Sequence, residues 1–305
     1  MNKFKGLYTA LITPFDKQGN LDEQGFRENI QYQLDNQVNG LVVLGTTGES
    51  PTLAEQETKR IIEIAREEIK NQTPLIVGTG SYSTKQTVEK TCVAEEFGAD
   101  GVLVITPYYN KPTQEGLYLH FKEIARSTSL PIILYNHPGR CGNAITIQTM
   151  KRLAEIPNIV GVKEITGSIE HLNNLIQAFQ IDFPNFAILS GDDNVTFTFL
   201  ANGAHGVVSV ASNLIPNTMK EFIDLCASED FVSARKLHNQ LLPLFNALNI
   251  ETNPIPIKAV MNLLGFASGA CRLPLCDLQQ ENRDKLEKVL NEMNLSLLNI
   301  ARIYG

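Results

Sequence analysis

The chain is predicted to be an α/β protein, a (β/α)8 TIM barrel with a C-terminal helical appendage, and three observations carry that prediction. Eight short apolar runs rich in β-branched residues recur at residues 7–13, 40–44, 74–77, 101–105, 131–135, 159–163, 186–190 and 206–210. Segments of helical periodicity separate them. Strands alternating with helices require parallel pairing through right-handed crossovers, and eight such units close into a barrel. After the eighth run the alternation stops and helical periodicity alone continues, from about residue 218 to the end. The expected division is therefore residues 1–226 for the barrel and 227–305 for the helical region, with turn signals at Asn253-Pro254 and Leu273-Pro274. A doubly wound open sheet would need Gly-x-Gly-x-x-Gly after the first strand and an acidic partner further on, and the sequence has neither.

Bulk properties narrow the function classes. At 305 residues, with 43% hydrophobic and 19% charged residues, the chain can bury a large core and matches ordinary globular proteins. A net charge of -7 argues against a nucleic-acid partner, because phosphate binding needs a basic face. No apolar run reaches the roughly 18 residues of a membrane span, and Met1-Asn2-Lys3-Phe4-Lys5 has no signal-peptide core, so the cytoplasm is expected. The five cysteines, Cys92, Cys141, Cys226, Cys271 and Cys276, are odd in number and scattered, which predicts reduced and mostly buried thiols. The five histidines never fall at metal-ligand spacing, so no metal site is expected.

In such a barrel the site forms at the C-terminal strand ends, so the residues just beyond each run matter most. The second run leads into Gly45-Thr46-Thr47-Gly48-Glu49-Ser50, whose hydroxyls and free N–H groups suit a small carboxylate, or equally a tight turn. A helix over residues 53–70 should follow, buried through Ile61, Ile62, Ala65 and Ile69 and opened by a capping box at Thr52 and Glu55. The fourth run ends in Thr106-Pro107-Tyr108-Tyr109, where one phenol can be core and the other a reagent. The fifth ends in Tyr135-Asn136-His137-Pro138-Gly139-Arg140-Cys141, where Tyr135 can move protons and Arg140 can clamp a carboxylate or lie on the surface. The sixth run closes on Lys163, which by strand alternation should share a face with Gly161 and Ile159 while Val162 and Glu164 face away. An amine held there loses hydration, so its pKa should fall, and the neutral form attacks ketones to make a Schiff base; a surface lysine capping a strand is the plainer alternative. The seventh run ends in Ser190-Gly191-Asp192-Asp193, which disfavours a phosphorylated substrate. The eighth leads to Ser209 and Asn213.

Together, GTTGES at residues 45–50, TPYYNKPTQEGLYLHF at 106–121, YNHPGR at 135–140, GVKEITG at 161–167, LSGDD at 189–193 and NPIPIK at 253–258 resemble the 4-hydroxy-tetrahydrodipicolinate synthases, formerly dihydrodipicolinate synthases. The resemblance runs in order from about residue 7 to the final helices. It implies condensation of pyruvate with L-aspartate 4-semialdehyde. Lys163 would be the nucleophile, and Tyr135 the general acid/base linked through Thr46 to Tyr109, which in the family enters from a neighbouring subunit. Thr46 and Thr47 would hold the pyruvate carboxylate, Arg140 the carboxylate of the semialdehyde, and Gly191 and Val208 would turn backbone carbonyls toward the nucleophile. No cofactor is implied, since the protonated imine is itself the electron sink, and the implied assembly is a homotetramer of two tight dimers. Related aldolases acting on N-acetylneuraminate or 2-keto-3-deoxygluconate share the lysine and a Tyr-Asn-x-Pro motif; Thr46-Thr47, Tyr108-Tyr109 and Arg140 favour the synthase branch over them, and a barrel that only binds a keto acid is disfavoured because no member of the implied relay is missing.

The sequence departs from the family at His137, where an aliphatic residue is usual, and at Cys141, where threonine is common. It departs again at a possible regulatory site for lysine, comprising Ser50, Leu53, Glu55, Thr58, Tyr82, Gln86 and Tyr108. Glu55 and Thr58 replace two histidines there, Tyr82 an asparagine, and Gln86 a glutamate, so lysine inhibition is expected to be weak or absent.

Overall fold

The computed structural model describes residues 4–165 and 167–293. Its first half alternates β1 (Gly6–Ala10), α1 (Glu23–Asp35), β2 (Gly40–Val43), α2 (Glu55–Ile69), β3 (Leu75–Gly78), α3 (Thr84–Glu96), β4 (Gly101–Ile105) and α4 (Gln114–Arg126). Next come β5 (Ile132–Asn136), a single turn α5 (Pro138–Cys141), α6 (Ile147–Ala154), β6 (Ile159–Glu164), α7 (Ile169–Asp182), β7 (Ala187–Ser190), α8 (Thr196–Ala201) and β8 (Gly206–Ser209). The chain then continues through α9 (Pro216–Ala227), α10 (Phe231–Ala247), α11 (Ile255–Leu263) and α12 (Gln280–Glu292). All eight strands pair in parallel in sequence order, and β8 returns to β1 to close the barrel.

Strand alternation sorts the core into two layers. Inside the barrel, Tyr8, Ala10, Val42, Ile76, Leu103, Ile133, Ala187, Leu189 and Val208 pack on one another. Outside it, Leu7, Leu41, Val77, Val104, Leu134, Val162 and Val207 meet the apolar faces of the helices.

Three local expectations are corrected. Ile159 joins the outer layer, not the face of Lys163, because Ile132 pairs with Ile159 while Ile133 pairs with Gly161; the extra residue, Val160, breaks the alternation. The α2 cap is not formed by Thr52 and Glu55: the Thr52 hydroxyl bonds to the Glu49 carbonyl at 3.0 Å, the helix starts after Ala54, and the Ala54 N–H donates to the Glu57 carboxylate at 2.9 Å. Of the cysteines, Cys141 and Cys226 are buried, whereas Cys92 and Cys276 are exposed.

The helices after β8 do more than append. Helix α10 packs against α8, α9 and α12, and the segment from α10 to α11 turns back over the strand ends through the cis Asn253–Pro254 bond. Lys258 of α11, nearly fully buried, donates to Glu49 at 2.7 Å, to the Thr13 carbonyl at 3.1 Å and to the Ala270 carbonyl at 2.8 Å. The loop after β2 is thereby tied to the C-terminal region. Residues 294–305 of the expected helical region lie outside the described residues.

Candidate active site

At the C-terminal strand ends a cavity of about 780 Å³ is lined by Lys163, Tyr135, Thr46, Thr47, Arg140 and Gly191, together with Asp192, Asp193 and His137. A second, of about 720 Å³, meets it at Thr46, Tyr135 and Arg140 and runs under Tyr108 and Ser50. Residues from distant parts of a 305-residue chain converge here because parallel strands all end on the same rim.

Lys163 stands on the inner face of β6, paired with Tyr135 of β5, and is only 6% exposed. Its Nζ lies 4.5 Å from the centre of the Tyr135 ring. Burial lowers its pKa to about 8, with Arg140 pushing the same way and the carboxylates of Asp193 and Asp192 opposing. Gly191 makes room for this side chain: a Cβ there would come within 2.7 Å of Lys163 Cε and 2.4 Å of Ile165. Asp193, also buried, accepts from the N–H groups of Val210 and Ala211 at 3.0 and 2.9 Å, which joins the β7 loop to the β8 loop; burial raises its pKa.

Tyr135 is buried and its phenol is pushed up to about 12 by desolvation, with the nearby Arg140 charge and a hydrogen bond to the Thr46 side chain acting against that rise. The phenol is thus kept protonated and in contact with a hydroxyl neighbour. Thr47 Oγ1 accepts from Asn253 Nδ2 at 2.9 Å, and Arg140 Nη2 donates to the Asn253 carbonyl at 3.2 Å. Asn253 therefore bridges the two groups expected to receive carboxylates. His137 closes the wall beside Tyr135, with ring centres 5.9 Å apart; burial, with help from the Arg140 and Lys163 charges, lowers its pKa to about 4. Cys141 is turned away, its Sγ 3.1 Å from the Thr106 carbonyl, and its thiol is pushed up to about 11 by burial.

Val208 sits in the interior layer below the cavity, and Val210 lines the cavity wall. Tyr109 is absent from both cavities: it is 89% exposed, with a left-handed backbone at φ +71. Tyr108 reaches the second cavity and packs edge-on against Tyr82. Ser50, Leu53, Glu55, Thr58 and Gln86 line a separate cavity of about 1030 Å³ with Lys59, Glu89, Lys90 and Val93, and Tyr82 and Tyr108 are not in its wall. Phe245, Leu248, Asn249 and Asn253 of the C-terminal region line the cavity beside Lys163, which sequence reasoning missed. The NPIPIK motif marked the right segment without saying which strand end it returns to. Among the described residues no cluster of three or more His, Cys, Asp or Glu has metal-holding geometry, and no helix is long and apolar enough to cross a membrane.

The sequence model of the Dihydrodipicolinate synthetase family matches residues 3–293. A 4-hydroxy-tetrahydrodipicolinate synthase of Protochlamydia amoebophila is 54% identical over 289 residues, covering 95% of this chain and 96% of its own. The crystal structure of a dihydrodipicolinate synthase from Thermotoga maritima superposes with a TM-score of 0.94 at 42% identity, covering 97% of this chain and 100% of that one. A structure described as a monomeric dihydrodipicolinate synthase variant gives 0.93 at 42% identity, covering 95% and 97%.

Proposed function

Because the chain belongs to the dihydrodipicolinate synthetase family, we propose that its rim cavity condenses pyruvate with L-aspartate 4-semialdehyde to 4-hydroxy-tetrahydrodipicolinate, in lysine and diaminopimelate synthesis. The observation that carries the reading is the buried Lys163 amine, lowered to about 8 and lying against the Tyr135 ring. At pH 7 roughly one such amine in ten is neutral, against about one in three thousand for an ordinary lysine, so the nucleophile is available without a metal or a separate base.

The neutral Nζ attacks the keto carbon of pyruvate, and loss of water leaves an imine whose protonated nitrogen accepts electrons. Removal of a methyl proton then gives an enamine, which adds to the aldehyde carbon to form the new carbon–carbon bond; the amino group of the semialdehyde then attacks the imine carbon, closing the ring and expelling the Lys163 amine. Tyr135, kept protonated by burial, hands a proton to the developing alkoxide and regains one through Thr46. Thr46 and Thr47 hold the pyruvate carboxylate, and Arg140, placed by the Asn253 carbonyl, receives the carboxylate of the semialdehyde. Gly191 leaves room for Lys163 to swing, and Val208 supplies backbone beneath it. Tyr109, pointing out of its own barrel, completes the proton relay of a partner subunit, which makes the working unit at least a dimer and, by family habit, a cytoplasmic homotetramer. One structural neighbour is itself described as a monomeric variant.

Borohydride reduction in the presence of pyruvate, followed by peptide mass spectrometry, tests the reading. One adduct is expected, on Lys163, and none in Lys163→Ala. An unmodified Lys163 in the wild-type protein would remove the mechanism.

A further inference from the structure

On the face of β5 and β6 opposite the reacting pair lies a polar cluster that the reaction does not touch. Asn136 and Glu164 are strand partners one residue beyond Tyr135 and Lys163, and alternation turns them outward as Tyr135 and Lys163 turn inward. Glu164 is fully buried. Its two carboxylate oxygens accept from the single Nδ2 of Asn136, at 3.2 and 2.9 Å, and Asn136 Oδ1 accepts the Ile145 N–H at 2.9 Å. Nδ2 thus bridges two strands whose inner faces carry the amine and the phenol.

Among the described residues that amide is the one side chain within hydrogen-bond distance of this enclosed carboxylate, and burying a charge without a counter-charge is costly. His171, in the first turn of α7, supplies it. Its Nε2 is 3.6 Å from Glu164, too far for a hydrogen bond but within ion-pair range, and among the described residues it is enclosed with no hydrogen-bond partner. Glu164 raises the pKa of His171 above its ordinary value, against the opposing effect of burial. Other charges on the packed helices are engaged or turned to solvent: Lys151 of α6 pairs with Asp182 of α7 at 2.6 Å, Arg152 of α6 pairs with Glu115 of α4 at 2.8 Å, and Glu170 is exposed. The backbone extends the tie, since the Ile165 N–H donates to the Asn136 carbonyl and the Gly191 N–H to the Glu164 carbonyl, each at 3.0 Å. Gly191 is the residue packed against Lys163 Cε.

We propose that Asn136, Glu164 and His171 form a positioning clamp on the outer face of the barrel that holds the strand ends bearing Tyr135 and Lys163 in register, with His171 as its cationic member. The inference rests on the reading of Lys163 and Tyr135 as the reacting pair. A displacement of about 1 Å at a reacting centre can cost on the order of a hundredfold in rate. The clamp therefore acts on imine formation without touching substrate. Because the folded pKa of His171 is raised, the clamp is fully charged below the unfolded value and is lost as pH rises through the folded one.

The test is the rate of pyruvate imine formation at Lys163, trapped by borohydride in single turnovers at acid, neutral and alkaline pH. Glu164→Gln and His171→Gln should each slow trapping about tenfold or more. His171→Arg, which keeps its charge at every pH, should restore the rate and extend it further into the alkaline range than in wild type. Trapping in Glu164→Gln and His171→Gln at wild-type rate and pH dependence, with only the melting temperature lowered, would overturn the clamp alone. Should Glu164→Gln not fold, the comparison of His171→Gln with His171→Arg decides. No adduct in wild type would instead overturn the reading of Lys163, and the clamp's role with it.

Discussion

Lys163 shows how a single residue sets stability and reactivity against each other. Its pKa falls from 10.5 to about 8 because the folded protein holds the ammonium out of water, and each tenfold loss of proton affinity corresponds to about 1.4 kcal/mol. Between those two values the unfolded chain binds more protons than the folded one, so stability rises with pH there; at neutral pH the penalty is carried in full. Lys163→Met fits the apolar stem and removes the charge. It should stabilise the protein by roughly 1–3 kcal/mol at pH 7, with the gain shrinking as pH climbs from about 8 toward 10.5. Urea melts of both proteins across that range check it; a variant less stable than wild type at pH 7 would mean that the Asp193 and Asp192 charges outweigh desolvation. The direction of this change was legible in the sequence, because an amine closing an apolar strand must lose water. The face shared by Ile159 was not, because a one-residue irregularity between paired strands leaves no mark on composition.

At the scale of elements, two loops are held from a distance. The loop after β2 that carries Thr46 and Thr47 is anchored by Glu49, itself in a left-handed conformation at φ +52, through the buried Lys258 and the Arg272 N–H at 2.8 Å. Removing one partner of such a pair strands the other, so Lys258→Met should cost about 3–5 kcal/mol, and adding Glu49→Gln should recover part of it. Denaturant midpoints of the single and double variants provide the measurement; additive losses would show that the two side chains do not act as a pair. The motifs carrying Glu49 and Lys258 were both visible in the sequence, 209 residues apart, but helical periodicity does not say where a helix returns. The cavity between α2 and α3 bears on lysine in the same way. Gln86 Oε1 is taken by the Ser81 hydroxyl at 2.9 Å, Glu55 is paired with Lys59 at 2.7 Å, and Lys59 and Lys90 line the wall. An incoming ammonium would meet an amide donor and two cations, while of the two carboxylates in the wall Glu55 is already paired and Glu89 lies 3.8 Å from Lys85. Feedback inhibition by L-lysine should therefore be weak or absent, and half-inhibition well below about 1 mM at subsaturating pyruvate, binding tighter than roughly 4 kcal/mol, would show that Glu89 or Glu55 has rebuilt the site.

For the whole molecule, the closed barrel was the most legible feature, since eight alternations leave few topologies that bury every strand on both faces. The completeness of the site was the least legible. Within one chain the contacts run from Lys163 past Tyr135 to Thr46 and stop, because the next phenol, Tyr109, is 89% exposed and absent from both rim cavities. Its left-handed backbone at φ +71, with Lys111 at φ +45 two residues on, sets the loop on an outward course. A phenol this exposed suits delivery to another copy of the chain. Tyr109→Phe subunits should then be nearly inactive through loss of the relay, and Lys163→Ala subunits inactive through loss of the nucleophile. In a mixed assembly, some sites would combine an intact Lys163 from one subunit with an intact Tyr109 from its neighbour. Mixing the two inactive proteins under conditions of proven subunit exchange should restore at most about a quarter of wild-type activity, the share of random Lys163–Tyr109 pairings in which both groups are intact. Exchange without any recovery would place Tyr109 in the site of its own chain and make the monomer the complete catalyst.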